Sequence, residues 1–97
     1  MKPARFHPEA LAELEAQSLY YEERSPGLGL RFLTQVEAAV RLAESMPQVG
    51  SPHQQGTRRV FPKSFPCAIV YRETPEALDI LAVAPFRRKP GYWRSRK

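Results

Sequence analysis

The sequence is poor in cysteine and lacks any long apolar run. Its 97 residues include one cysteine, Cys67, which cannot form an intramolecular disulfide, so a reducing compartment is expected. No stretch approaches the roughly 18 uncharged apolar residues of a membrane span. The first residues do not open into the apolar segment of a signal peptide. These absences predict a cytoplasmic protein without membrane contact.

Metal ligands and nucleophiles are equally scarce. His7, His53 and Cys67 stand alone, without the short spacing of metal-binding motifs. Cys67 falls in an apolar run between Pro66 and Ala68, where a free cysteine is usually a small buried residue rather than a nucleophile. No glycine-rich phosphate loop or dinucleotide fingerprint is present. We therefore expect neither a metal nor a cofactor.

Acid–base catalysis is not indicated either. The acids of the N-terminal region are interpreted as the solvated face of a helix, with nothing that pairs them for proton transfer. They are Glu9, Glu13, Glu15, Glu22 and Glu23. We also expect no histidine beside the cationic cluster of the C-terminal half. No residue is predicted to be catalytic, and no bond is expected to be cut.

Positive charge is concentrated in the second half of the chain. Residues 1–50 carry five Lys or Arg and seven Asp or Glu, a net −2, whereas residues 51–97 carry ten and three, a net +7. Six of these cations lie in the last twelve residues, which contain no acid. A field of this sign attracts phosphates or an acidic protein. A merely solvated basic tail is the alternative interpretation.

Apolar spacing predicts two helices in the first half. They span residues 8–23 and 27–46, and Pro47 ends the second. Ser25 is the expected N-cap of the second helix and Pro26 its first residue. The short break indicates an antiparallel hairpin. The residues expected to pack the hairpin onto a sheet are Leu11, Leu14, Tyr21, Phe32, Val36 and Val40.

Three short β-rich runs follow a polar loop over residues 48–56. They span residues 57–61, 67–72 and 77–84, and the short connections predict an antiparallel meander. A short strand at Arg5-Phe6 is expected at an edge of this meander. The sequence does not predict with which strand it pairs. The residues expected on one face of two neighbouring strands are Cys67, Ile69 and Tyr71, and Leu78, Ile80, Ala82 and Ala84.

These elements predict one α+β domain over residues 1–97. A short N-terminal strand and an antiparallel helix hairpin, within residues 1–50, pack on an antiparallel sheet. The three-strand meander occupies residues 57–85 and a basic tail residues 86–97. The hairpin covers one face of the sheet, and the other face is expected to be wetter.

The remaining chemistry is cationic and aromatic. Arginine presents a planar fork to phosphate or carboxylate, and aromatic rings offer stacking surfaces. The predicted target-binding residues are Arg58, Arg59, Arg87, Arg88, Tyr92, Trp93 and Arg94. For Trp93 a packed structural role is favoured, because a lone tryptophan in a small domain is usually buried.

Three segments in sequence order carry a family pattern. The first is Tyr20-Tyr21-Glu22-Glu23, then Gly27-Leu28-Gly29 and Phe32. The second is Arg58-Arg59, then Phe65-Pro66, Ile69 and Tyr71-Arg72. The third is Ile80, Ala82-Val83-Ala84, Arg87-Arg88 and Pro90-Gly91-Tyr92-Trp93. Together they resemble the ParE/RelE superfamily of toxins from type II toxin–antitoxin modules, whose fold is the one predicted above.

The resemblance implies a cytosolic toxin with a cognate antitoxin, through which it contacts DNA indirectly. ParE-like members resemble inhibitors of DNA gyrase and are not enzymes. RelE-like members cut messenger RNA on the ribosome. The long hairpin with Gly27-Leu28-Gly29 favours the ParE-like interpretation, so gyrase is the expected target and the ribosome the alternative. An acidic, partly disordered antitoxin segment on the basic half would bind less tightly at high salt.

For the ribonuclease alternative, the chain must activate a 2′-hydroxyl, stabilise a phosphorane and protonate a leaving oxygen. The residues that the resemblance offers are Arg59, Lys63, Arg72, Arg87 and Tyr92. Only Lys63 and Tyr92 are able to move a proton, because arginine stays protonated.

The chain also departs from the family pattern. Many members have a histidine where Pro85 stands, and members often have an aromatic residue in place of Cys67. Pro85 is expected to end the last strand. It leaves open a third function, that of a non-toxic protein that binds antitoxin and co-represses transcription.

Overall fold

The computed structural model describes residues 2–96; Lys97 of the predicted basic tail lies outside them. The elements are β1 (Ala4–Phe6), α1 (Pro8–Arg24), α2 (Leu28–Ser45), β2 (Ser51–Pro52), β3 (Arg58–Val60), β4 (Cys67–Glu73) and β5 (Leu78–Pro85). The two helices and the three-strand meander are confirmed. Pro85 is the last residue of β5, as predicted. Within residues 2–96 no helix is long and apolar enough to cross a membrane.

The strands form one sheet in the order β1-β5-β4-β3-β2. β1 lies at an edge, as expected, and pairs with β5 in parallel, whereas all other pairs are antiparallel. The α+β fold is confirmed with a mixed sheet. The strand β2 was not predicted, because Ser51–Pro52 falls in the proline- and glycine-containing loop. An edge position tolerates Pro52, which has no N–H to donate.

The turn between the helices differs from the prediction. Ser25 ends α1, since its N–H donates to the carbonyl oxygen of Tyr21 at 3.1 Å, so its assignment as N-cap of α2 was wrong. The carboxylate of Glu22 instead accepts the N–H groups of Gly27 and Gly29, both at 3.0 Å. A Cβ on Gly29 would lie 2.6 Å from the carbonyl oxygen of Ser18, so the close approach of the helices requires glycine.

The main core lies between the hairpin and the sheet. Its largest fully buried side chains include Phe32, Tyr71, Ile69, Leu78 and Ile80. Leu11 was predicted to pack there but is 44% exposed, and Ala10 is buried instead. The small side chain lets α1 lie close to the sheet.

A β-bulge changes which residues of β5 face the helices. Tyr71 pairs with Ile80, but Val70 pairs with Ala82, so Leu81 is an extra residue. One extra residue reverses the alternation of side chains beyond it. Val83 therefore joins the helix-facing core, and the placement of Ala82 and Ala84 on that face was wrong.

Candidate functional site

The C-terminal segment, residues 86–96, folds back over the sheet face opposite the helices. Trp93 is 3% exposed and belongs to a second apolar cluster with Val70, Leu81 and Ala82. The structural role of Trp93 is therefore confirmed, and its side chain is not available to a target. The described part of the basic tail is a packed cover on this face rather than a solvated extension.

A buried carboxylate holds this cover in place. Glu13 of α1 accepts the backbone N–H of Val83 at 3.0 Å and the hydroxyl of Tyr92 at 2.6 Å. The Arg96 guanidinium donates to both of its oxygens at 2.9 Å. Side-chain exposures are 13% for Glu13 and 8% for Arg96. We call Glu13, Tyr92 and Arg96 the Glu13 latch; the expectation that the α1 acids are solvated was wrong for Glu13.

The latch removes Tyr92 from proton-transfer chemistry. Burial, together with the hydrogen bond to Glu13, raises the pKa of Tyr92 far above its usual value. The Tyr92 hydroxyl already donates a hydrogen bond to the carboxylate of Glu13. Tyr92 is therefore a positioning residue, which weakens the role that the ribonuclease alternative assigns to it.

Arg58 has a structural role in the loop that follows α2. Its guanidinium donates to the carbonyl oxygens of Gln48 at 3.2 Å and Gly50 at 2.7 Å. The buried hydroxyl of Tyr71 accepts the N–H of Gly50 at 2.9 Å and donates to the carbonyl oxygen of Pro47 at 2.8 Å. These contacts fix the start of the β2–β3 hairpin. Arg58 is thereby engaged within the chain.

Two of the predicted arginines, Arg59 and Arg88, line a common depression with Tyr92 and Trp93. This basic depression has a volume of about 100 Å³ and lies between the sheet and the C-terminal segment. Its polar and aromatic walls are formed by His53, Arg59, Phe86, Arg88, Lys89, Tyr92 and Trp93, and no acidic side chain lines it. The predicted residues outside it are Arg58, Lys63, Arg72, Arg87 and Arg94.

The arginines of the basic depression are oriented by aromatic rings. The Arg88 guanidinium lies 3.9 Å from the centre of the Tyr92 ring, and that of Arg59 lies 5.4 Å from the Phe61 ring. The Nε of Arg59 is buried and has no hydrogen-bond partner within residues 2–96. Neither guanidinium forms an ion pair with a described carboxylate. Two cations thus lie against aromatic rings without a counter-charge from the described part of the chain.

A histidine also lies in the basic depression. The His53 ring is 5.8 Å from the Trp93 ring, and its pKa is lowered, first by burial and then by the nearby Arg59 charge. The expectation that no histidine lies beside the cationic cluster was wrong. The β2–β3 hairpin positions His53 there. The backbone N–H of His53 donates to the carbonyl oxygen of Thr57 at 2.8 Å. That hairpin falls in the segment interpreted as a loop.

An aromatic pair at the mouth of the basic depression was also missed. Phe61 and Phe86 are 48% and 60% exposed, and their ring centres are 6.1 Å apart. Two large apolar rings left in solvent beside cations are typical of an interaction surface. In the sequence they share one feature: each directly follows a strand, Phe61 after β3 and Phe86 after β5.

A separate apolar groove runs along the helix hairpin. It has a volume of about 490 Å³. Its apolar lining is Phe6 of β1 with Leu14, Leu33, Val36 and Val40, and the charged side chains of Glu37, Arg41 and Glu44 also line it. A neighbouring depression of about 310 Å³ shares Leu14 and Leu33, so the groove continues along both helices. We call this the hairpin groove.

Comparison with known proteins agrees with the geometry. The sequence profile of the family described as "ParE toxin of type II toxin-antitoxin system, parDE" matches residues 4–90. A solved structure titled "Chromosomal ParDE TA system from P. aeruginosa" has the same fold, with a TM-score of 0.76 and 18% identity. The match covers 88% of this chain and 96% of that chain. No protein with curated annotation matches the sequence.

The Glu13 latch predicts a large stability effect of a nearly isosteric change. Glu13→Gln removes the nearer counter-charge of buried Arg96, which then keeps, among the described carboxylates, only exposed Glu9 at 3.8 Å, and should lower the free energy of unfolding by about 3 kcal/mol. Urea titration followed by the fluorescence of Trp93, the single tryptophan, measures this. The control is Glu15→Gln on the exposed side of α1, expected to change stability by less than about 0.5 kcal/mol. Equal effects of the two changes would contradict the latch.

Proposed function

Since the chain belongs to the ParE toxin family of type II toxin–antitoxin systems, we propose that it inhibits DNA gyrase in the cytoplasm by binding, without cutting a bond. We base the proposal on the sheet face that contains Arg59 and Arg88 beside exposed Phe61 and Phe86. Neither arginine forms an ion pair with a carboxylate of the described residues. Such a surface combines charge attraction with apolar anchors. Of the two proton carriers expected from the sequence, Tyr92 is engaged by Glu13 and Lys63 lies outside the basic depression.

The cognate antitoxin is proposed to bind on the other side of the molecule. The hairpin groove leaves large apolar side chains exposed to water: Leu19 is 61% and Leu33 37% exposed. A groove of this shape accepts the apolar side of an amphipathic helix. The antitoxin segment that folds on the toxin is proposed to supply that helix, and the antitoxin's own DNA-binding domain supplies the indirect contact with DNA.

His53 supports a second candidate function, the ribosome-dependent endoribonuclease. Its lowered pKa leaves the imidazole neutral near pH 7, as a general base requires, and it lies in the basic depression with Arg59 and Arg88. Tyr92 is held by Glu13, so among the residues lining the depression the leaving-oxygen acid would have to be Lys89, for which no substrate contact is defined. Gyrase inhibition is therefore the preferred proposal.

Reversing two exposed charges should abolish the inhibition of gyrase. The double variant Arg87→Glu with Arg88→Glu places repulsive charge in the basic depression at Arg88 and next to it in the chain at Arg87, while exposed charges contribute at most about 1 kcal/mol to stability. The measurement is supercoiling by purified gyrase at increasing toxin concentration. A matched control reverses Arg31 and Arg41, which are exposed on α2, and should retain inhibition.

Two results would contradict this proposal. Undiminished inhibition by the Arg87/Arg88 reversal would remove the proposed surface from target binding. Cleavage of ribosome-bound messenger RNA by the pure protein, lost in His53→Gln, would establish the ribonuclease instead.

The hairpin groove predicts a site-specific loss of antitoxin binding. Leu33 lines both parts of the groove, so Leu33→Asp places a charge against the apolar side of the bound segment. We expect at least a tenfold weaker affinity, about 1.4 kcal/mol, for the small acidic protein encoded beside the toxin, measured by calorimetry. Leu42→Asp is the control, because Leu42 is 42% exposed but lies outside the groove.

The salt dependence of the same titration discriminates between two surfaces. Contact through the hairpin groove is mainly apolar and should change little with ionic strength, whereas contact through the basic face should weaken steeply. Equal affinity of the Leu33→Asp and Leu42→Asp variants would overturn the groove as the antitoxin site.

A further inference from the structure

We propose that the basic depression is a binding site for a single phosphate group. It contains two guanidinium groups, from Arg59 and Arg88, and the Lys89 side chain also lines it. Among residues 2–96 no carboxylate lines it to neutralise them, and the rings of Phe61 and Tyr92 orient the two guanidinium groups. Arginine forks held in this way lose little side-chain freedom when they bind a tetrahedral oxyanion.

An unsatisfied buried donor is the second observation. The Nε–H of Arg59 is buried and has no hydrogen-bond partner within residues 2–96. Buried donors are almost always paired in folded proteins, with protein groups, water or an ion. The Nε of Arg59 is closed to solvent in this structure, so a phosphate oxygen in the basic depression becomes its acceptor only when the Arg59 side chain shifts toward the depression.

The depression has room for a phosphate group, with a volume of about 100 Å³. It is open to solvent, so a group attached to the phosphate can extend past exposed Phe86, which lines the depression and whose ring centre is 6.1 Å from that of Phe61. Bases stack readily on such rings.

The inference deepens the proposed function, on which it rests for the biological source of the phosphate. That source is proposed to be the backbone of DNA held by gyrase. Phosphate binding itself is a property of the isolated chain and is measured without gyrase. A toxin that inhibits gyrase through protein contacts alone would fail this test and still pass the supercoiling assay.

His53 provides a local reporter of binding. Burial and the Arg59 charge lower its pKa, and a bound phosphate would counter that charge and raise the pKa. The second histidine, His7, lies at the start of α1, where its Nδ1 accepts the N–H of Glu9 at 3.1 Å. It is an internal control, since the chain has two histidines in total.

The experiment follows the ring signals of both histidines by NMR as a function of pH at constant ionic strength. Relative to chloride, inorganic phosphate should raise the pKa of His53 without moving the ring signals of His7. Arg88→Gln and Arg59→Gln should each weaken phosphate binding about tenfold, the loss expected for one hydrogen bond to a charged group. Arg41→Gln on α2 should bind as the wild type does. The exposed Arg88 keeps the test valid if the Arg59 variant misfolds.

The probes distinguish the sources of the phosphate. Tighter binding of a thymidine dinucleotide, which carries one phosphodiester, supports the site with a nucleic-acid strand as its ligand. Binding of inorganic phosphate alone supports the site with free phosphate as its ligand. An equal response to acetate, equal shifts of His7 and His53, or no response to either phosphate probe would overturn the proposal.

Discussion

The carboxylate of Glu13 is the contact on which the arrangement of the molecule depends. From α1 it reaches a backbone N–H of β5, the hydroxyl of Tyr92 and the guanidinium of Arg96. A single charge thereby connects the helical layer, the sheet and the C-terminal segment. A buried acid without hydrogen-bond partners would be strongly destabilising. The Glu13 carboxylate therefore favours the conformation of the C-terminal segment in which Tyr92 and Arg96 donate to it. That conformation packs Trp93 on the sheet and lines the basic depression.

The Glu13 latch also holds the C-terminal segment on one side of the molecule, so the two surfaces differ in charge and polarity. On the helical side the hairpin groove combines apolar side chains with acids, namely Glu15, Glu22, Glu37 and Glu44. On the opposite side the tail brings its cations over the sheet, beside the cationic β3. Since the cations remain unpaired at the basic depression, that face has a positive field that the protein itself does not neutralise. We propose one partner for each face because the two surfaces attract different chemistry.

Most of the fold could be predicted from local patterns, and most of the site could not. Helix periodicity, Pro47 and the β-rich runs depend on neighbouring residues, so the hairpin and meander followed from the sequence. The β-bulge at Leu81 leaves no signal in the alternation of β5, and it moved Ala82 to the other face. The partners of Glu13 lie 70 to 83 residues away in the chain. His53 falls in a loop-like segment whose pairing with β3 involves only two residues of β2. Such contacts are set by tertiary packing, which single-sequence patterns do not contain.

Hydrogen exchange of the toxin, alone and in complex with gyrase, tests the central claim most directly, namely that the latched sheet face is the target-binding surface. The account predicts that gyrase slows exchange of the amides in residues 53–61 and 84–94, while the amides of α1 and α2 exchange as they do in the free protein. Protection confined to the helices, with unchanged exchange over the C-terminal segment, would contradict it.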